Sequence, residues 1–224
     1  MKFVFTSLLL FLAAATVSAQ TFSGGLRAGV SSWHFYNDQM EGQALATSFT
    51  KEAFIKGAGF GKWAFEVAVS HDRYRNNHIP MPDNGLPTPD SKADRAAYQL
   101  HLKGMYELSC NKSADCPLMK RFKNYIGVVF SPTVASIETE QYMRRYDAED
   151  GWSNSKFSKI EYWFGATHTL EYWLYAKWYI SGSVTAEINP FKEDPWRRST
   201  VPGYERYTMP NARITGTLGI GYKF

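Results

Sequence analysis

The sequence predicts an all-β fold, an eight-stranded antiparallel up-and-down barrel, and three observations predict it. Eight stretches place apolar residues at every second position, the period of a strand, whereas a helix repeats every 3.6 residues. Phe, Trp and Tyr make up 16% of the 224 residues, more than an ordinary core requires and suited to rings at two membrane–water interfaces. The connections alternate between short and long, the asymmetry of a barrel with tight turns at one end and loops at the other.

The first stretch, 22–35, alternates Leu26, Ala28 and Val30 with Arg27, Gly29 and Ser31. The second, 51–60, is Gly-rich and the weakest, with Lys56 on the apolar parity. Gly61-Lys62 is a tight turn into the third, 63–74, where Trp63, Phe65, Val67 and Val69 oppose Ala64, Glu66, Ala68 and Ser70. The fourth, 95–108, is the cleanest: Ala96, Tyr98, Leu100, Leu102 and Tyr106 against Arg95, Gln99, His101, Lys103 and Glu107. The fifth, 124–137, carries Ile126, Val128, Phe130 and Val134, and Pro132 predicts a bulge or rim position because it has no N–H for the ladder. The sixth, 157–172, sets Ile160, Tyr162, Phe164, Ala166 and Leu170 against Lys159, Glu161, Thr167, Thr169 and Glu171. The seventh, 177–188, sets Trp178, Ile180, Val184 and Ala186 against Ser181, Ser183, Thr185 and Glu187.

The eighth, 212–224, alternates Ile214, Leu218, Ile220 and Tyr222 with Arg213, Thr215, Thr217 and Lys223. An alternating edge strand left unprotected invites aggregation, and pairing it with the first strand removes the edge. Its end, with Thr217, Gly219, Tyr222 and Phe224, resembles the C-terminal assembly signal of bacterial outer-membrane β-barrel proteins: polar, Gly, aromatic and terminal hydrophobic at matching positions. The chain as a whole resembles the small eight-stranded, porin-like members of that family. The resemblance implies a transmembrane barrel in the outer membrane of a Gram-negative-type cell. It implies outer-membrane lipid and the barrel assembly machinery as partners. It also implies short periplasmic turns and long outer loops.

Met1 and Lys2, the apolar run 3–17 and the small residues Val17-Ser18-Ala19 read as a signal peptide over 1–19, leaving one barrel domain over 20–224. The connections 61–62 and 173–176 are short; 37–50, 75–94, 138–156 and 189–205 are long and polar. The connection 109–123 carries Cys110 and Cys116, which in an exported chain most simply form one disulfide. Formal net charge is +4 without a dense basic tract, so nucleic acid is not an expected partner.

In a membrane barrel the apolar face meets lipid and the polar face lines the lumen. Arg27, Lys103, Lys159 and Arg213 with Glu66, Glu107, Glu161, Glu171 and Glu187 are therefore the expected lumen network. Eight strands leave only enough room for side chains to fill the interior, and charges there persist when paired. His168 has lipid-facing parity, which costs little only near an interface.

No catalytic, metal or cofactor site is expected. His71 and Asp72 are adjacent and point to opposite faces. Ser32 and His34 share a face, but in the reverse of the His-x-Ser order of lipid A deacylases and without an orienting carboxylate. Asp147, Glu149, Asp150 and Asn154 lack the spacing of a calcium loop. Trp152 and Trp196, expected on outer loops, are candidate contacts for an extracellular partner or for lipid headgroups. The expected function is a non-catalytic structural or surface-interaction barrel. The alternatives are a narrow pore for ions or small solutes, a lipid A-modifying enzyme, and a secreted lipocalin-like barrel.

Overall fold

Each alternating stretch pairs with its neighbours in the chain, and the last pairs with the first. The computed structural model describes residues 21–35, 44–79, 91–108, 121–143, 151–190 and 212–224. The strands are β1 (Thr21–Phe35), β2 (Ala44–Phe60), β3 (Trp63–Ile79), β4 (Ser91–Glu107), β5 (Phe122–Met143), β6 (Gly151–Trp173), β7 (Trp178–Ile188) and β8 (Ala212–Lys223). All pairings are antiparallel, and β1 closes on β8 through Leu26 opposite Ile220 and Val30 opposite Gly216. Closure gives every strand two hydrogen-bonded neighbours, so no sheet edge remains.

The β2–β3 hairpin turns at Gly61, whose φ of 65° suits a two-residue hairpin turn. Just before it the register shifts between Ala58 and Phe60, around Gly59 at φ 118°. The β6–β7 turn is held by Leu174 N–H to Trp178 O at 3.0 Å. Both turns lie at the end of the barrel where β1 starts and β8 finishes.

Several strands run further than the alternation of apolar residues suggests. β2 begins at Ala44, β3 reaches Ile79, β4 starts at Ser91, and β5 and β6 extend to Met143 and from Gly151. Polar pairs carry these extensions: Arg73 with Asp94 at 2.6 Å and Lys156 with Glu138 at 3.6 Å. Trp152 is thus not in a loop; it lies in β6 opposite Tyr142. Pro132 makes neither a bulge nor a rim position. The β5 pairing to β4 lapses opposite Leu100 and His101 and resumes in the same register, while the pairing to β6 runs on through Pro132 and Tyr162. The missing N–H therefore costs one local piece of ladder and no residue is inserted.

The faces are sorted with the apolar side out. Leu26, Val128 and Leu218 are 70%, 69% and 65% exposed, whereas Arg27, Lys103 and Glu161 are 3%, 3% and 2% exposed. A soluble barrel of the lipocalin kind requires the opposite sorting. Outward aromatic pairs mark two levels. Near the short turns lie Trp63–Tyr106, Phe122–Tyr172 and Trp178–Tyr222, with centroids 5.2, 4.8 and 4.9 Å apart. Toward the other end lie His71–Tyr98 and Phe130–Tyr162, at 4.6 and 6.2 Å. On β6 the two levels are set by Tyr172 and Tyr162. At ~3.3 Å per residue and a strand tilt of ~40°, that separation is about 25 Å.

Candidate functional site

Ladder register builds the interior from cross-strand partners. Arg27 stands opposite Glu52, and Glu66 opposite Lys103. Arg27 donates through Nη1 to Glu52 Oε1 and Glu66 Oε1, both at 2.7 Å, through Nη2 to Glu66 Oε2 at 2.8 Å, and through Nε to Ser181 Oγ at 3.0 Å. Lys103 Nζ donates to Glu66 Oε1 at 2.9 Å. Two cations and two carboxylates are thereby held together, with the Phe54 ring 3.7 Å from the Arg27 guanidinium carbon.

Toward the short turns, Lys56 pairs with Glu171, and the Tyr125 and Tyr179 rings lie 4.6 and 5.3 Å from its Nζ. Phe54, Ala68 and Tyr179 form one buried cluster with Trp173 against it; Ala64, Met105 and Tyr125 form another. Toward the long loops, Trp33 and Trp163 meet edge-on at 5.7 Å. Arg95 lies 4.7 Å from the Trp33 ring, and Arg213 lies 4.9 Å from that of Trp163. Arg95 pairs with Glu161, which also accepts from Trp163 Nε1 at 3.0 Å. Asp72 accepts from Gln99 Nε2 at 2.5 Å.

Between these levels runs a hydrogen-bonded chain. Ser70 Oγ lies 2.8 Å from His101 Nε2, and His101 Nδ1 lies 2.7 Å from Ser131 Oγ. Ser131 donates to Glu187 Oε1 at 2.5 Å, and Arg213 Nε donates to Glu187 Oε2 at 2.6 Å. Hydroxyl, imidazole and carboxylate in sequence have the composition of an acyl-transfer relay. Here Ser70 and His101 are buried to 2% and 6% exposure in mid-barrel, so a lipid or peptide carbonyl meets neither. On the β6–β7 side the interior is lined by hydroxyls, with Thr167 3.1 Å from Thr185 and Thr169 3.2 Å from Ser183.

Arg27, Glu66, Lys103, Glu161, Glu171, Glu187 and Arg213 are thus placed on the buried face. Glu107 is half-buried near the short turns, 3.8 Å from Lys123, and Lys159 is half-buried toward the other end. Glu52, Lys56, Asp72 and His101 join the interior. Lys56 is a correction, since its parity is inward. Phe54 points inward beside it and makes the second stretch read as if its faces were exchanged. Asp72 was readable, two positions beyond Ser70 on the same parity.

Thr217 is buried, Tyr222 belongs to the lower aromatic level, and Phe224 N–H donates to Phe22 O at 3.0 Å. A Cβ on Gly219 would lie 1.9 Å from Leu26 O, so β8 approaches β1 there as only glycine permits. Residues 1–19, Cys110, Cys116, Trp196 and the acidic residues Asp147, Glu149 and Asp150 lie outside the described residues. Asn154 is in β6 opposite Glu140. No group of three potential metal ligands occurs among the described residues.

No family model matches the sequence, and no curated protein matches it significantly. Among solved structures it is similar to Neisserial surface protein A, with a TM-score of 0.47 and 15% identity over 90% of this chain and 95% of that one. It is also similar to Ail, the attachment invasion locus protein of Yersinia pestis, with TM-score 0.46 and 12% identity over 90% and 98%. For the outer membrane protein OprG from Pseudomonas aeruginosa the values are 0.45 and 13% over 90% and 95%. With eight antiparallel strands closed into a barrel, its apolar side chains outward and its ion pairs inward, the chain has the architecture of the small outer-membrane β-barrels.

Proposed function

We propose that the protein is an integral barrel of the bacterial outer membrane with a structural or surface-interaction role and no catalysis. In this reading it is inserted by the assembly machinery after residues 1–19 are removed. One observation carries the reading: the exposed face between two aromatic levels is apolar apart from the hydrogen-bonded pair His168–Asn124, while the buried face is ionic. Water on the outside would leave that much apolar surface exposed, whereas lipid matches it. The closed lumen is supported by aromatic packing at both levels, Trp33 with Trp163 and Phe54 with Tyr179. Binding of an extracellular partner would fall to the outer connections.

Three measurements test this. The protein should remain in the detergent-extracted outer membrane and migrate faster on a gel unheated than heated. Refolded into planar bilayers, it should give no discrete conductance steps; regular steps would replace this reading with the narrow pore. Removing the outer connections one at a time, with a cell-surface binding readout, locates any partner site.

A further inference from the structure

Closure removes the sheet edge from the barrel wall, yet β6 outruns β7 at the end away from the short turns. The β6–β7 ladder starts with Phe164 opposite Ile188, whereas β6 extends outward to Gly151, paired with β5 as far as Met143. From Gly151 to Trp163, β6 therefore has a ladder neighbour on its β5 side alone among the described residues. Continuing the register would set Pro190 opposite Tyr162, and proline has no N–H to give.

The turn below fixes which backbone groups face the bare side. Leu174 N–H donates to Trp178 O, so even-numbered positions along this strand bond toward β7 and odd-numbered ones toward β5. Trp152, Asn154, Lys156, Ser158 and Ile160 thus turn their N–H and C=O groups to the open edge. Tyr162 belongs to the upper aromatic level, and this row stands beyond it, on the aqueous side. Such a row is a template for one more extended strand.

Charge selects the occupant. Lys156 is exposed and Lys159 half-buried, and the two leave opposite faces of the strand. A second copy of this barrel offering the same edge would set lysines against lysines. Its β6, inserted in the same direction, would also run parallel to this one, the less stable pairing. The chain's own connection 191–211 is broken by Pro195, Pro202 and Pro210, and its basic residues outnumber its acidic ones.

We propose that this edge binds an extended acidic peptide segment of an extracellular protein, added antiparallel to β6 as a further strand. Carboxylates facing Lys156 and Lys159 fall three residues apart on that segment, and an apolar residue faces Ile160. The proposal deepens the surface-interaction reading above and rests on it.

The probe is a capped nine-residue peptide of Thr and Val with Asp at its second and fifth positions, which face Lys159 and Lys156. It carries a fluorophore and is titrated, by anisotropy, against the full chain inserted in phosphatidylcholine vesicles. The wild type should bind it saturably, and the same peptide with Lys for Asp about fivefold more weakly. N-methylation at the third, fifth and seventh positions removes the donors aimed at β6 and should abolish binding. N-methylation at the fourth and sixth, which point away, should leave it unchanged. Ser158→Pro should weaken binding at least about tenfold, since a donor is lost and a ring blocks the edge. Its N–H faces away from β5, so the barrel tolerates the proline. Equal binding of the two N-methylated peptides, or undiminished binding by Ser158→Pro, overturns the proposal. Binding seen only after 191–209 is replaced by a short Gly-Ser linker also overturns it, assigning the edge to this chain's own connection. Heat-dependent gel migration and vesicle insertion are read in parallel. A wild type that fails both overturns the membrane reading itself, whereas one that passes both and binds no peptide overturns only the edge site.

Discussion

Glu66 accepts from Arg27 and Lys103, and all three side chains are at most 1% exposed. A buried ion pair contributes little net stability when intact, because desolvation offsets attraction, yet removing one partner strands a charge at a cost of ~3–5 kcal/mol. Glu66→Ala strands two cations, with Glu52 left to both. Urea unfolding of the refolded protein should show a loss of about 3 kcal/mol or more. Glu138→Ala should cost under ~1 kcal/mol, since its pairing with Lys156 is long and solvated. Equal losses would mean that burial does not govern the interior charges. Arg27 and Glu66 are legible in the sequence because each interrupts an alternating stretch on the polar parity. That they meet is not legible, since it depends on the register that sets Arg27 opposite Glu52 and Glu66 opposite Lys103. Glu52 and Lys56 were hidden by Phe54, an apolar residue turned inward to lie against the Arg27 guanidinium.

At the scale of the elements, the β1–β8 seam decides whether eight strands make a barrel or an open sheet. Gly219 and Gly216 lie on the same strand, one facing in and one out. A Cβ on Gly219 meets the β1 backbone at 1.9 Å, and one on Gly216 meets nothing within 4 Å. Gly219→Ala should therefore impair closure, read as loss of the fast-migrating unheated band, while Gly216→Ala folds like the wild type. Identical behaviour would show that the seam relaxes freely. The strands themselves were legible wherever the two faces differ in polarity, as in β4 and β6. Their far ends were not, because above the apolar band both faces are polar, and pairs such as Arg73–Asp94 hold the ladder without an alternating signal. Trp152 fell into β6 for this reason. Pro132 misled differently: a strand tolerates the missing N–H where its neighbour simply forgoes the bond.

For the whole molecule, the outward rings fix a thickness. Tyr162 and Tyr172 on β6, each paired with an aromatic of β5, lie about 25 Å apart along the axis at the rise and tilt used above. A typical bilayer has a hydrocarbon core of ~30 Å, and the bacterial outer membrane is thinner than average. Each ångström of mismatch costs a fraction of a kcal/mol, through thinning of the bilayer or burial of the ring hydroxyls and indole N–H groups. The barrel cannot lengthen, because its strands are locked on both sides by ladder bonds and its interior is already packed with ion pairs. Lipid must adapt to protein. Unfolding free energies should therefore be higher in dilauroyl than in dioleoyl phosphatidylcholine vesicles by roughly 1–2 kcal/mol. Moving the lower level inward with Tyr172→Leu and Leu170→Tyr should enlarge the difference, since the band between the rings becomes shorter still. Greater stability in the thicker bilayer would mean that these rings do not sit at the two interfaces, and the 25 Å band would lose its meaning as the lipid-facing zone.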